Sequence, residues 1–420
     1  MTHIQRYKVG GAVRDRLLGK PSSDDDWVIV GSSADALEAA GYQAIYRRGN
    51  NGVLESFPVF LHPHTRDEHA LARRSLAQTG DTHDLWARFR GVSLEEDLAN
   101  RDFTMNAVAQ TPDGRLVDPF NGARDLDNKI IRHVSEAFAE DPVRVLRGAR
   151  FAAQLPGFAL ARETRALFGE LAERGDLDQL DPSRVWKEVE KSMAAPAPQR
   201  FIEVLRESGV LCRILPEVDA LFGVPQPPEH HPEIDTGVHT LMVLEQAAGL
   251  SADPRVRFGA LVHDLGKALT PPENWPSHHQ HERRGLEAWR ALARRMAVPN
   301  RFDKAARVAI EHHLRCHRLT DAKASGIARL LRDIGAYRDP EIVELLVNVC
   351  EADARGRAGR EQCDYPQAAL LTQAYAVSRD VTGATFVENG HRPGPAIGQM
   401  VIAEQVRRIA TVLRRDRGQI

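Results

Sequence analysis

Two carboxylates in Asp24-Asp25-Asp26-Trp27-Val28 are spaced for metal chemistry. On a strand, side chains alternate faces, so Asp24 and Asp26 would point one way and Asp25 the other. Carboxylates a few Å apart repel unless a cation lies between them. Hard oxygen ligands suit Mg²⁺, and paired Mg²⁺ ions can activate an attacking hydroxyl and steady a leaving pyrophosphate in an in-line displacement. The plainer reading of the same string is an acidic turn ahead of a strand. The upstream run Gly10-Gly11-Ala12-Val13-Arg14-Asp15 favours the metal reading. Glycine lets backbone N–H groups approach a triphosphate, a helix start favours its charge, and Arg14 offers phosphate oxygens a planar fork. Alone, the Gly-Gly pair would read as a tight turn.

A second group is basic. Glu140-Asp141-Pro142-Val143-Arg144-Val145-Leu146-Arg147-Gly148-Ala149-Arg150-Phe151 spaces its arginines three apart, along one slowly rotating helical face. Such a face calls for an anionic partner. That partner is either a nucleotide or carboxylates elsewhere beside a solvated stripe. An Asp and an Arg together can pair with the edge of cytosine or adenine.

A third group is rich in histidine. His239, His263-Asp264 and Asp353 form an H…HD…D pattern within segments that read as helical. Imidazole nitrogen with carboxylate oxygen suits a divalent transition metal or Mg²⁺. A bound ion acidifies its water enough to attack a phosphoester. His278, His279, His281, His312 and His313 are candidates to complete the set. A lone His-Asp pair would more often be a hydrogen-bonded helical pair.

The elements around these groups change character along the chain. Residues 1–135 mix short β-rich runs with turns. Trp27-Val28-Ile29-Val30 and Val59-Phe60-Leu61 read as strands, and Leu116-Val117-Asp118-Pro119 ends a third. From 136 onward helical periodicity replaces strand-like runs, as over 142–153 and 183–194, each opened by a start signal at Asp141-Pro142 or Asp181-Pro182-Ser183. A Pro-rich break lies at 224–228. The expected division is a head over 1–135, a helical neck and body over 136–224, a helical domain over 225–360 and a helical tail over 361–420.

At 420 residues the chain is too long for one ordinary core. Hydrophobic residues at 42% and charged residues at 27% are the balance of a soluble globular protein. No apolar run approaches membrane-spanning length, and the N-terminus lacks a signal peptide's apolar core. Four scattered cysteines without a CxxC pair argue against a zinc ribbon and fit a reducing cytoplasm. A net charge of −2 excludes a general polyanion binder, so any nucleic-acid contact must be local.

Together, Gly10-Gly11-Ala12-Val13-Arg14-Asp15, Leu17-Leu18-Gly19, Asp24-x-Asp26-Trp27, the string 95–107 (EEDLANRDFTMNA), Asp118-Pro119-Phe120 and Asp141-Pro142-Val143-Arg144-Val145-Leu146-Arg147 resemble class II tRNA nucleotidyltransferases. That group holds bacterial CCA-adding enzymes and poly(A) polymerases. His263-Asp264-Leu265-Gly266-Lys267 with His239 and Asp353 resembles the HD phosphohydrolase superfamily, and such a domain marks the long, multifunctional CCA-adding type. The resemblance implies an α+β fold: a nucleotidyltransferase head with a mixed sheet, an all-helical body and a helical HD domain. It implies template-independent addition of the tRNA 3′-terminal CCA from CTP and ATP by a cytoplasmic monomer or homodimer that does not enter membranes. Asp24 and Asp26 would hold Mg²⁺. Asp141 and Arg144 would read the base, and Gly11, Arg14, Arg101, Arg147 and Arg150 would hold the nucleotide. His239, His263, Asp264 and Asp353 would bind a transition metal such as Ni²⁺ for 2′-nucleotidase, 2′,3′-cyclic phosphodiesterase and phosphatase activity. At Arg74-Ser75-Leu76-Ala77-Gln78 the chain departs from an Arg-Thr-Glu-Arg-Lys-like string, in a loop the resemblance links to the switch from C to A addition. The alternatives are a poly(A) polymerase and an HD hydrolase with an inactive head.

Overall fold

The structure is a computed structural model that describes residues 4–21, 25–46, 58–75, 88–388 and 394–416. Asp24 and the departing loop from Leu76 lie outside the described residues. The chain folds into two compact units, Met1–Leu180 and Asp181–Ile420.

The first unit is built on a seven-stranded mixed sheet of order β3-β4-β5-β2-β1-β6-β7. Its strands are β1 (Gln5–Val9), β2 (Trp27–Val30), β3 (Gln43–Ile45), β4 (Val59–Leu61), β5 (Glu68–Leu71), β6 (Ala109–Gln110) and β7 (Leu116–Val117). Among the described strands of this sheet only β2 and β5 pair in parallel, with Trp27 opposite His69 and Ile29 opposite Leu71. Alternation sets the two faces. Ile29, Phe60 and Leu71 pack with Leu37 of α2 (Ala34–Ala39) on one side. Val9 and Val28 pack with Leu98 of α3 (Leu94–Ala99) on the other. Helix α1 (Gly11–Leu17) leaves the end of β1 directly.

Strand β2 begins only at Trp27, so Asp25 and Asp26 precede the strand and do not lie on it. Their directions still diverge. Asp25 pairs with Lys8, while Asp26 faces the β1–α1 turn and its carbonyl accepts from Val9 N at 2.9 Å.

Beyond the sheet come α4 (Gly122–Asp127), α5 (Val143–Gln154) and α6 (Arg162–Glu173). The helical pattern from 136 hides one strand: β9 (Ala159–Leu160) pairs in parallel with β8 (Ile130–Ile131). Two residues are too few to print a period.

The second unit is helical throughout its described residues: α7 (Pro182–Met193), α8 (Gln199–Glu207), α9 (Leu211–Ile214), α10 (Pro216–Asp219), α11 (Thr236–Leu250), α12 (Pro254–Val262), α13 (His281–Arg295), α14 (Asn300–His317), α15 (Ala324–Asp333), α16 (Glu341–Arg355), α17 (Pro366–Ser378), α18 (Gly383–Glu388) and α19 (Pro395–Asp416). Asp181 caps α7 by accepting from Ser183 N and Arg184 N, with Pro182 at the first helical position, as the sequence signal requires. Helices α11, α12, α14 and α16 bury Val243, Ala260, Ala309 and Leu346 in a common core. Among the described residues no helix is long and apolar enough to cross a membrane.

Candidate functional site

In the first unit, Gly10 holds φ 72° and ψ −135°, a conformation essentially restricted to glycine. A Cβ there would lie 3.3 Å from Arg101 Nη1 and 3.8 Å from Asp26 Oδ2, so a carboxylate and a guanidinium converge on bare backbone. A Cβ on Gly11 would meet Arg14 Nη2 at 3.6 Å. Arg101 is held from below by Asp97 Oδ2 at 3.2 Å, whose Oδ1 accepts from Arg73 N at 3.1 Å. Asp97 is itself placed by the capping box that starts α3: Ser93 Oγ accepts from Glu96 N, and Glu96 Oε2 accepts from Ser93 N at 2.8 Å.

Two of the expected arginines are joined by residues the sequence reading left without a role. Arg14 Nη1 donates to Asn106 Oδ1 at 2.9 Å, Asn106 Nδ2 donates to Asp102 Oδ1 at 3.0 Å, and Arg147 Nε donates to Asp102 Oδ2 at 2.8 Å. Burial alone would raise the Asp102 carboxyl's pKa. The Arg147 charge, with hydrogen bonds from Asn106 and Phe103 N, outweighs burial and holds it below the usual range. Phe151 is a shared platform, with the guanidinium carbons of Arg150, Arg14 and Arg147 at 4.2, 5.1 and 5.9 Å from its ring centre. Gly148 keeps α5 close: a Cβ there would lie 2.6 Å from Phe168 Cζ.

Arg144 takes a different position from its neighbours. It donates to Ala137 O at 2.9 Å and Asn100 O at 2.7 Å, and burial pushes its pKa down. Asp141 stands at the start of the same helix, where its carbonyl accepts from Arg144 N at 2.9 Å and its charge acts on Arg144 and Arg73.

The second unit brings His239, His263, Asp264 and Asp353 into one buried cluster. His263-Asp264 sits just past the end of α12 and before a 3₁₀ turn, Leu265–Leu269. His239 Nδ1 lies 3.0 Å from Gly356 O and 3.0 Å from Glu233 Oε1; His263 Nδ1 lies 2.7 Å from Ala260 O. These oxygens only accept, so each Nδ1 carries a hydrogen, and once the ring is neutral its Nε2 presents a lone pair. Inside the cluster, His239 Nε2, His263 Nε2, Asp264 Oδ1 and Asp353 Oδ1 are buried without a hydrogen-bond partner. Four buried polar atoms without a hydrogen-bond partner fit a cation site, with Arg357 Nη2 3.5 Å from Asp353 Oδ1 at its edge, and His239, His263 and Asp353 present ligand atoms within 4.8 Å of one another. Burial would raise both carboxyls, but the surrounding charges, led by His263 for Asp264 and His317 for Asp353, hold them well below the usual range.

Of the other histidines in the sequence reading, His281 and His313 reach Asp264 Oδ1, at 3.3 and 3.7 Å. His278 is turned to Thr270 and Pro225, His312 to Arg315, and His279 is exposed. Two partners were missed. His317 Nε2 lies 2.7 Å from Asp353 Oδ2, and its place one turn after His313 on α14 was a usable signal. Glu233 lies six residues before His239 across a turn, where no period could mark it.

Such a fold and these clusters define a nucleotidyltransferase-type head joined to a helical HD domain. The model for "Poly A polymerase head domain" matches residues 6–132, that for "Probable RNA and SrmB- binding site of polymerase A" matches 157–222, and that for "HD domain" matches 236–357. The Multifunctional CCA protein of Methylococcus capsulatus is 50% identical over 98% of this chain and 95% of its own length. That of Halorhodospira halophila is 46% identical over 99% of both chains. The chain belongs to the multifunctional CCA protein family. Two solved structures share the fold. The Bacillus stearothermophilus CCA-adding enzyme in complex with CTP has a TM-score of 0.61 at 24% identity, over 99% of this chain and 94% of that one. The Thermotoga maritima CCA-adding enzyme complexed with tRNA has a TM-score of 0.63 at 17% identity, over 98% and 90%.

Proposed function

We propose that this protein builds and repairs the 3′-terminal CCA of tRNA from CTP and ATP, and that its HD domain hydrolyses phosphoesters. The observation that carries the first activity is the convergence of Asp26 Oδ2 and Arg101 Nη1 on Gly10. In this reading the tRNA 3′ oxygen bonds to the α-phosphorus as the bond to the β-phosphate breaks and pyrophosphate leaves. When bound at Asp24 and Asp26, Mg²⁺ supplies Lewis acidity toward the attacking and leaving oxygens. Gly10 and Gly11 let the triphosphate approach the backbone. Arg14, Arg101, Arg147 and Arg150 balance its charge in fixed positions, which avoids reorganisation during reaction. Asp141 and Arg144 orient the base at the head of α5, Arg144 being anchored on Ala137 and Asn100 carbonyls.

In the HD domain, His239, His263, Asp264 and Asp353 would hold a divalent transition ion such as Ni²⁺. When bound, it supplies an acidified water and charge neutralisation for 2′-nucleotidase, 2′,3′-cyclic phosphodiesterase and phosphatase reactions. Glu233 and the Gly356 carbonyl fix the His239 tautomer, and His317 steadies Asp353. We divide the chain accordingly into a head (1–135), a neck and body (136–224), an HD domain (225–360) and a tail (361–420), working in the cytoplasm as a monomer or homodimer.

The test is a labelled tRNA lacking its 3′ end, given CTP, ATP or both. CTP alone should add two residues and the pair three. Long A tails on generic RNA would instead indicate a poly(A) polymerase.

A further inference from the structure

We infer that Gln226 binds the phosphoryl group of the HD domain's substrate through the N–H groups of its side-chain amide. The inference deepens the hydrolase reading above and rests on it. Gln226 lies in the Pro-rich segment 224–228, between α10 and α11. Proline on either side, at 225 and 227, stiffens that segment. Main-chain oxygens pin it further: Gln226 N donates to Ile234 O at 2.7 Å, and Pro225 O accepts from His278 Nε2 at 2.9 Å. Gln226 itself is only 1% exposed.

The direction of its amide is set by charge. Lys267, in the 3₁₀ turn that follows His263-Asp264, places Nζ 2.5 Å from Gln226 Oε1 and 2.6 Å from Asp264 Oδ2. An ammonium only donates, so the amide atom facing it is the oxygen and the NH₂ group is turned elsewhere. Gln226 Nε2 is buried and has no hydrogen-bond partner. Donors closed off from water are costly to leave unmatched. The acceptor they call for must come from outside the chain.

The surroundings of the ion-binding cluster favour an anionic oxygen as that acceptor. Asp264 and Asp353 alone would repel it. Lys267 on Asp264, and Arg357 with Nη2 3.5 Å from Asp353 Oδ1, offset those two charges. Arg357 Nε is also buried without a hydrogen-bond partner. Unmatched donors therefore occur beside both carboxylates. A phosphoryl group offers acceptors only, and it matches such donors better than a sugar hydroxyl or a base edge, which bring donors of their own.

The test titrates inorganic phosphate into full-length, Co²⁺-loaded wild type, Gln226→Glu and Gln226→Met by isothermal calorimetry. Glutamate keeps an oxygen for Lys267 but exchanges the two donors for a charged acceptor, and methionine keeps the length without either. Phosphate affinity should fall about 10–100-fold in both variants. The KM for p-nitrophenyl phosphate should rise in step with little change in kcat, as for a contact made equally in ground and transition states. Co²⁺ retained after desalting, and CCA addition, should be unchanged. Equal phosphate affinity and KM in all three proteins, with hydrolysis intact, overturn the role of Gln226 and leave the hydrolase standing. Loss of Co²⁺ in step with phosphate means that Gln226 acts by holding Lys267 and the ion, which overturns direct binding. A wild type that neither binds phosphate nor hydrolyses the ester removes the hydrolase reading itself. If neither variant folds by circular dichroism, Gln226 is a structural residue and the proposal fails.

Discussion

His239 Nε2 and Asp353 Oδ1 lie 3.2 Å apart in the interior of the helical unit, and neither has a hydrogen-bond partner. Buried acceptors in this state are costly, by about 1–3 kcal/mol each. On the proposed function, a divalent ion held there would relieve them and favour the folded state. Stripping the protein with chelator should therefore lower its melting temperature, and restoring a divalent ion at about 100 times its dissociation constant should return about 2.7 kcal/mol. Differential scanning calorimetry of the stripped and reloaded protein measures this. His239→Asn should show a smaller rise in melting temperature on reloading than wild type.

Glu233 acts on the same site from outside. Its Oε1 lies 3.0 Å from His239 Nδ1 and 2.9 Å from His231 Nδ1. Burial pushes His231 down to about 4, so at neutral pH His231 is uncharged and its Nδ1–H can donate to Glu233. Glu233→Ala should weaken metal affinity and phosphohydrolase turnover by about 10–100-fold, as for other residues that orient a metal-binding histidine. CCA addition should be unchanged. Isothermal titration with Ni²⁺ and a cyclic-phosphate assay check the two halves of this expectation.

Asp102 gives a pH signature in the head. Its folded carboxyl lies below the unfolded value of about 3.9, so its ionised contacts stabilise the fold fully above that pH. That contribution is lost as pH falls below about 3.9 toward the depressed folded value. Asp102→Asn should cost about 1–3 kcal/mol at pH 7, and the gap from wild type should narrow as the solution is acidified through that window. Urea unfolding at several pH values measures the gap. A pH-independent difference would mean that Asp102 does not act through its charge.

Much of this was readable beforehand wherever chemistry and local geometry coincide. Trp27–Val30 and Val59–Leu61 are strands over the expected residues, and the Asp181-Pro182 signal opens α7 as capping requires. The H…HD…D residues meet because their types and order reflect a chemical demand. Three-dimensional partners were harder to read. Asn106 links Arg14 to Asp102 across 92 positions, a contact that no short window contains. The β2–β5 parallel pairing depends on which strands close the sheet, not on either strand's own pattern. Arg144 belongs to a regular arginine stripe, yet its hydrogen bonds to the Ala137 and Asn100 carbonyls, from two separate segments, set it apart from its neighbours.

On the proposed function Asp26, facing Gly10 and Arg101, serves nucleotide addition in the head. Single-turnover incorporation of CTP and ATP into tRNA lacking its 3′ end, comparing wild type with Asp26→Ala, tests it most directly. Incorporation should fall about 10³-fold or more, equivalent to roughly 4 kcal/mol of barrier, with cyclic-phosphate hydrolysis unchanged in the same preparation. Undiminished incorporation by a folded Asp26→Ala protein would contradict it.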